Sequence, residues 1–251
     1  MAKLTQHQEC CPTSLRILQG REYLQSSNQT KRPTLVIFDC DGVLIDSEIL
    51  AARVHAAAFA ALGHDIAVAD LLHRFTGVPD AEMYVTLEQE WGCTMPASHD
   101  ASVKESVAEA YQRELQAIKG VHEAVAELDR PVCVASSSSP AKLRLGLTLV
   151  GLYDRFAPNI FCASQVRRGK PAPDIFLFAA EQMRTHPADC LVIEDSVAGI
   201  KAARAAGIPV LGFAGASHCL AGHGNRLIAE GAFASIQHMS ELSGVIRGLR
   251  G

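Results

Sequence analysis

From residue 33 onward the chain alternates short strand-like segments with helix-like segments, and this alternation constrains its fold more than any other feature. Residues 34–38 (TLVIF) are apolar and rich in β-branched side chains, as a strand buried on both faces should be. Further strand-like runs are predicted at residues 131–135, 159–162, 190–193 and 209–213. Such alternation specifies a parallel sheet covered by helices. We therefore predict an α/β protein with a Rossmann-like parallel-sheet core.

Residues 47–119 interrupt the alternation, because they contain no convincing strand and look helical throughout, with breaks at 77–79 and 92–96. We predict a flexible N-terminal extension (1–32, with one short helix around 14–24), a core (33–46 plus 120–251) and an inserted all-helical cap domain (47–119). The chain has 251 residues, more than the roughly 100 to 200 of a usual single domain. The extension and the cap account for the excess.

The charge balance and the apolar runs argue against nucleic-acid and membrane partners. The chain carries 27 acidic against 23 basic residues, a net charge of -4, and shows no basic patch of the kind that holds a phosphate backbone. No apolar run approaches the roughly 18 residues of a membrane span, and the N-terminal residues lack the apolar stretch of a signal peptide. We expect a cytoplasmic protein that is a monomer or a small homo-oligomer.

The cysteines and histidines show no recognised metal or redox motif. None of the eight cysteines belongs to a C-x-x-C pair. Cys40, Cys133 and Cys190 lie in apolar segments and are expected to be buried free thiols in a reducing cytosol. His218 and His223 lack the H-E-x-x-H spacing, so we expect a structural or solvated role for them.

Polar side chains follow four of the predicted strands, at the point where each strand ends. They are Asp39 and Asp41 after the first, Ser136 to Ser139 after the second, Lys170 in the loop after the third, and Glu194 and Asp195 after the fourth. Each has an ordinary explanation as a turn, a flexible loop, a solvated lysine or a helix cap. Ligands of open parallel sheets bind at the carboxyl ends of the strands, so four such groups at one edge favour a site.

The chemistry of these groups is mutually consistent. Four carboxylates at one edge repel each other unless a cation lies among them, and all-oxygen ligation suits Mg²⁺. One carboxylate can attack phosphorus to form an aspartyl-phosphate, and another can move the proton. Lys170 and Ser136 can compensate the charge on the transferring phosphoryl oxygens.

The first of these segments resembles a known family. Residues 38–44 (FDCDGVL) resemble the first motif, D-x-D-G-x-[TV], of the haloacid dehalogenase-like superfamily. Ser136, Lys170 within GKPxPD, and Glu194-Asp195-Ser196 stand in the order of the later motifs. The helical block resembles the cap of the phosphoglycolate phosphatase and β-phosphoglucomutase branch. Segments 74–78 and 195–199 resemble sugar phosphatases of the 6-phosphogluconate phosphatase type.

The resemblance implies a role for each matching position. Asp39 would be the nucleophile, and Asp41 the general acid/base with its backbone carbonyl on the metal. The implied phosphate-binding residues are Ser136, Ser137 and Lys170, and the implied Mg²⁺ site consists of Asp39, Asp41, Glu194 and Asp195. True dehalogenases of the superfamily lack an acid at the position of Asp41, so the resemblance implies phosphoryl transfer.

These observations predict a Mg²⁺-dependent phosphatase of a small phosphorylated metabolite, either a sugar phosphate or a sugar-acid phosphate. The expected specificity residues of the cap are Ser47, Arg74, Thr76 and Gly77, with Arg74 as the candidate clamp for a substrate carboxylate or hydroxyl.

Two alternatives remain open. One is a β-phosphoglucomutase-like phosphomutase, although Ala51, Thr76 and Asp80 stand where such mutases typically carry a histidine, a lysine and an arginine. The other is a non-catalytic phosphate-binding regulatory protein, which has no need for the proton transfer expected of Asp41.

Overall fold

The computed structural model describes residues 31–249. The predicted N-terminal helix, and all of the predicted extension except residues 31 and 32, lie outside the described residues. Within residues 31–249, no helix combines the length and the hydropathy that crossing a membrane requires.

The described chain alternates strands and helices as predicted. The strands are β1 (Leu35–Phe38), β2 (Val132–Ser136), β3 (Ile160–Cys162), β4 (Cys190–Glu194), β5 (Val210–Phe213) and β6 (Ala234–Ile236). The helices are α1 (Glu48–Ala61), α2 (Val68–Phe75), α3 (Asp80–Trp91), α4 (His99–Glu114), α5 (Val121–Ala126), α6 (Pro140–Leu149), α7 (Tyr153–Phe156), α8 (Asp174–Gln182), α9 (Val197–Ala205), α10 (His223–Ala229) and α11 (Leu242–Gly248).

All six strands form one parallel sheet in the order β3-β2-β1-β4-β5-β6. This is the strand order of Rossmann folds, so the predicted fold class is confirmed. Strands β2 and β3 follow β1 on one side of it, and the chain then crosses to the other side of β1, where β4 lies next to it. A crevice forms where the order reverses, at the carboxyl ends of the central strands.

Strand β1 shows why the sheet lies at the centre of the core. Its side chains alternate between faces, so Val36 and Phe38 join one apolar cluster while Leu35 and Ile37 join the other. All four are fully buried. An apolar run without polar alternation is therefore the sequence expected for a strand with helices on both faces.

The inserted block forms four helices, α1 to α4, and the first three of them share an apolar cluster of their own. That cluster contains Ala52, Phe59, Leu71, Leu72, Met83 and Leu87. The sequence predicted helical structure as far as residue 119, and this prediction is wrong for residues 115–119. Helix α4 ends at Glu114, and Ala117 instead forms a single antiparallel bridge with Ile45. The segment that enters the helical block before α1 and the segment that leaves it after α4 therefore run side by side.

Candidate active site

Asp39 directly follows β1 and lies in the crevice. Its N–H donates to the carbonyl oxygen of Ile193 (3.0 Å), which extends the β1–β4 pairing by one residue. Burial is the main cause that raises the pKa of Asp39, and the ammonium of Lys170 opposes it. The carboxylates of Glu194 and Asp195 raise it further. Lys170 alone therefore does not offset the effect of burial on the pKa of Asp39.

Lys170 joins the ends of β1 and β4. Its Nζ lies 2.6 Å from Asp39 Oδ1 and 2.7 Å from Glu194 Oε1, and it donates to the carbonyl oxygen of Ala135 at 3.2 Å. Burial alone would lower the pKa of Lys170, but the two carboxylates outweigh it and raise that pKa. Lys170 is therefore a fixed ammonium at the sheet edge, as an anion-binding role requires.

Three buried carboxylates, Asp39, Glu194 and Asp195, bring oxygens within 4.8 Å of one another, and we call them the acidic cluster. Glu194 uses both of its oxygens within the protein: Oε1 contacts Lys170, and Oε2 accepts from the N–H (2.7 Å) and Oγ (3.0 Å) of Ser196. Asp195 Oδ2 is buried and has no hydrogen-bond partner. His218 Nε2 approaches it to 3.1 Å, but an oxygen without a hydrogen bond keeps lone pairs free for a further cation, and the all-oxygen donor set suits a hard divalent ion.

Two glycines leave room for these carboxylates. A Cβ at Gly42, whose φ is +77°, would overlap Asp195 Oδ2. A Cβ at Gly199, in the first turn of α9, would overlap the carboxylate of Glu194. The lack of a side chain at Gly42 and Gly199 is therefore needed for Asp195 and Glu194 to occupy their positions in the site.

We expect Gly199→Ala to lower the free energy of unfolding by about 1–3 kcal/mol, because the added methyl must displace Glu194 from Lys170. Gly244→Ala in α11 is the matched control, since nothing lies within 4 Å of its added Cβ. The control should be stabilised by about 0.5–1 kcal/mol, as a helical Gly→Ala change usually is. Urea denaturation measures both, and equal shifts of the two midpoints would contradict the proposed crowding.

The carboxylate of Asp41 is held apart from the acidic cluster. Ser47 Oγ donates to its Oδ1 (2.6 Å), Ser138 Oγ donates to its Oδ2 (2.5 Å), and Lys142 Nζ lies 3.2 Å from Oδ1. Burial raises the pKa of Asp41, but Lys142 and the two hydroxyls outweigh burial and lower it. Asp41 is therefore an anion in this state and can accept a proton.

Ser136 and Ser137 lie at the end of β2, and their binding of phosphate stays a prediction. Ser136 ends β2, is buried, and accepts a hydrogen bond from the N–H of Ser138 (3.1 Å). Ser137 is exposed at the same edge. Sequence reasoning missed Ser138 and Lys142, which both contact Asp41. Ser138 precedes α6 and Lys142 is its third residue, so no helical spacing in the sequence indicated that both would reach Asp41.

Glu48, the first residue of α1, is another group that sequence reasoning missed. Burial is the main cause that raises its pKa to about 7, and the charge of Asp41 adds to the rise. A carboxyl with a raised pKa stabilises the fold only while it is protonated. That contribution is complete below the ordinary pKa of 4.5 and is lost as the pH rises through about 7.

Glu48→Gln should therefore melt at the same temperature as the wild type near pH 4.5, and about 2–5 °C higher at pH 8. Thermal melting between these pH values, without divalent ions, measures the difference. Glu123→Gln is the control, because Glu123 also lies in the first turn of a helix but is exposed. A difference in melting temperature between Glu48→Gln and the wild type that is the same at every pH would contradict the raised pKa of Glu48.

A cavity of about 480 Å³ opens between the helical block and the sheet domain. Arg74 and Thr76 line it from the block, and Ser196 and His218 line it from the other side. The remaining charged or titratable lining residues are His73, Lys201, His223 and Arg226. No acidic side chain is among the residues that line it in the described part of the chain. The cavity therefore suits an anionic ligand.

The expected specificity residues lie at the block–sheet interface or along this cavity. Ser47 contacts Asp41 as described above. Arg74 pairs with Glu90 (2.5 Å), and its guanidinium lies 4.7 Å from the ring centre of Phe75. Gly77, with φ +78°, approaches the sheet domain so closely that a Cβ there would lie 2.9 Å from Ser196 Cβ. Arg74 is thus anchored within the block while facing the cavity.

His218 and His223 both contact Asp195. His218 Nε2 lies 3.1 Å from Asp195 Oδ2 without hydrogen-bond orientation, and His223 Nε2 donates to the Asp195 carbonyl oxygen at 2.6 Å. Burial lowers the pKa of His218, but Asp195 and Cys219 outweigh it and raise that pKa to about 11. Since His218 is buried, a solvated role is excluded for it. The only sign in the sequence that His218 could belong to the site was its position after β5, which ends at the same edge of the sheet as β1 and β4.

Comparison with known proteins agrees with this geometry. Residues 33–207 match the haloacid dehalogenase-like hydrolase family. The 6-phosphogluconate phosphatase of Escherichia coli (strain K12) is 28% identical over 208 residues, which cover 82% of this chain and 91% of that protein.

Two solved structures share the fold. A conserved haloacid dehalogenase-like protein of unknown function from Agrobacterium tumefaciens str. C58 is 40% identical with a TM-score of 0.78, over 86% of this chain and 98% of that one. A HAD family hydrolase from Deinococcus radiodurans R1, solved with bound phosphate and sodium, is 30% identical with a TM-score of 0.70, over 86% of this chain and 95% of that one. The chain therefore belongs to the haloacid dehalogenase-like hydrolases and is a phosphoric monoester hydrolase.

Proposed function

We propose that the chain is a Mg²⁺-dependent phosphatase that hydrolyses a small phosphorylated sugar or sugar acid through an aspartyl-phosphate intermediate. The observation that carries the proposal is the arrangement at the end of β1. Asp39 lies against Lys170 within the acidic cluster, while Asp41, two residues further on, is held separately by hydroxyls. The phosphate bound in the Deinococcus radiodurans hydrolase supports it.

The acidic cluster fits Mg²⁺. Asp39 and Asp195 would ligate it directly, together with the backbone carbonyl of Asp41 as the family resemblance implies. Glu194 would act through water, because Lys170 and Ser196 already occupy its oxygens. When bound, the ion supplies positive charge that neutralises the phosphoryl oxygens.

The residues of the chain divide the reaction into two steps. Lys170 and the Ser136–Ser137 segment hold the phosphoryl oxygens while Asp39 attacks phosphorus, and the bond between phosphorus and the sugar oxygen breaks. Asp41 gives its proton to the leaving oxygen; the phosphate dianion beside it raises its pKa enough for it to carry that proton. Asp41 then takes a proton from the water that attacks the aspartyl-phosphate, which releases phosphate and restores Asp39.

The cavity supports a substrate with a second anionic group. Arg74, Lys201 and Arg226 line it, and a carboxylate at the far end of a sugar acid would meet these cations. The name of the Escherichia coli relative, a 6-phosphogluconate phosphatase, is consistent with such a substrate.

A phosphate-release assay tests the proposed function. The purified protein is offered matched pairs of a sugar phosphate and its sugar-acid counterpart, with Mg²⁺ and with a chelator in its place. We expect Mg²⁺-dependent release, faster with the sugar acid of each pair. Ligand binding without release from any compound would overturn the proposal in favour of a binding protein.

The phosphomutase alternative has less support. Asp80 stands where such mutases carry an arginine, and it lies 3.5 Å from His55 in an ion-pair arrangement. A carboxylate there does not attract a second phosphate. An isomerised sugar phosphate formed in the presence of a bisphosphate would favour the mutase.

We also propose a cytoplasmic location. All six cysteines among the described residues are free thiols, and four of them are buried. Thiols persist in a reducing compartment.

A further inference from the structure

The loop after β5 brings together three side chains that can ligate a metal, outside the acidic cluster. They are His218, Cys219 and His223, and their donor atoms lie within 4.8 Å of one another. We call them the His–Cys–His cluster. His218 is buried and the other two are partly buried, and both histidines line the cavity. An ion can therefore reach the cluster.

The spacing of the donors matches coordination of zinc. In a tetrahedral site, Zn–N bonds of about 2.0–2.1 Å and a Zn–S bond of about 2.3 Å place the nitrogen and sulfur about 3.5 Å apart. His218 Nε2 and Cys219 Sγ are 3.5 Å apart. The two ligands are already separated as a shared ion would hold them.

The surroundings of the cluster also match a metal site. The hydrogen bond from His223 Nε2 to the Asp195 carbonyl fixes the orientation of that ring, as outer contacts do for metal-ligating imidazoles. Next to His218 Nε2, Asp195 Oδ2 approaches to 3.1 Å without hydrogen-bond orientation. An ion that replaces the proton of His218 keeps positive charge next to this carboxylate.

We propose that His218, Cys219 and His223 bind one thiophilic divalent ion of the zinc type, at a site separate from the acidic cluster. A thiolate with two imidazoles selects Zn²⁺ or Co²⁺ over Mg²⁺, which prefers oxygen. Three protein ligands leave a fourth position that faces the cavity, open to water or a ligand. Because both histidines contact Asp195, the ion lies beside the acidic cluster.

A cobalt titration tests this site without reference to catalysis. The full chain is stripped of metal, kept reduced with a phosphine, saturated with Mg²⁺ and titrated with Co²⁺. We expect one equivalent to bind with a thiolate-to-cobalt charge-transfer band in the near ultraviolet, and Zn²⁺ to remove that band. Absence of the band in the wild type overturns the proposal.

Variants assign the band to its ligand. Cys219→Ser should abolish it and weaken Zn²⁺ binding about 100-fold or more, with Mg²⁺-dependent turnover unchanged. Cys93→Ser, a partly buried cysteine in the helical block, and the Cys10→Ser, Cys11→Ser double variant should both keep it. If Cys219→Ser does not fold, His223→Asn takes its place and should weaken Zn²⁺ binding and alter the d–d bands. Full Zn²⁺ affinity in the folded Cys219→Ser or His223→Asn protein overturns the proposal.

Discussion

Asp39→Asn is expected to lower phosphatase turnover by about a thousandfold or more, which corresponds to about 4 kcal/mol of lost transition-state stabilisation. The amide keeps the shape of the side chain but is a far weaker nucleophile than the carboxylate, so no aspartyl-phosphate can form. Steady-state phosphate release, measured with the best substrate of the panel, gives the effect.

The same variant should not lose stability in the metal-free state. Burial raises the pKa of Asp39, so ionising this side chain costs stability when no metal is bound. The amide removes this charge and leaves Lys170 paired with Glu194. We expect an equal or higher melting temperature in a chelator, which separates lost chemistry from lost folding.

Asp129→Asn is the matched control, because Asp129 is an exposed aspartate paired with Arg130 away from the crevice. Its turnover should equal that of the wild type. Turnover of Asp39→Asn within tenfold of the wild type would contradict the role of Asp39 as nucleophile.

Lys170→Met is expected to lower the free energy of unfolding by about 3–5 kcal/mol at pH 8 in a chelator. The change removes the ammonium that contacts Asp39 and Glu194 and leaves two buried carboxylates without compensation. The loss of unfolding free energy should become smaller toward pH 5, because Asp39 and Glu194 have raised pKa values and take up protons as the pH falls. Urea denaturation across this pH range measures it.

A divalent ion should restore part of the stability of Lys170→Met, since it supplies positive charge to the same carboxylates. Lys201→Met is the control: this half-exposed lysine pairs with Glu230, and its loss should change stability by no more than about 0.5 kcal/mol. Equal losses in the two variants would show that Lys170 does not hold the acidic cluster together.

The sheet and the order of its functional groups could be predicted from the sequence. Segments such as residues 34–38 are short, apolar and β-branched, and a parallel sheet fixes where each strand ends. Asp39 and Glu194 therefore meet because β1 and β4 are neighbours, whereas Lys170 reaches both from the loop after β3, past the end of β2.

Two kinds of contact could not be predicted in this way. One depends on the direction in which a side chain leaves its helix, and the other depends on packing between distant parts of the chain. Lys142 reaches Asp41 only because α6 begins directly after the serine run. Residues 115–119 have no helix-breaking proline or glycine before Gly120, yet pairing of Ala117 with Ile45 overrides their local preference. His218 lies in the loop after β5, and the hydrophobic pattern of a loop does not predict its conformation.

The most direct test of the account is detection of the phosphorylated aspartate. Asp41→Asn, which lacks the base for the second step, is mixed with Mg²⁺ and p-nitrophenyl phosphate, whose leaving group needs no protonation, and is quenched in acid. Mass spectrometry of the intact protein and its peptides should show one phosphoryl group per chain, located on Asp39. A phosphoryl group on any other residue, or none while the wild type hydrolyses the same compound, would contradict it.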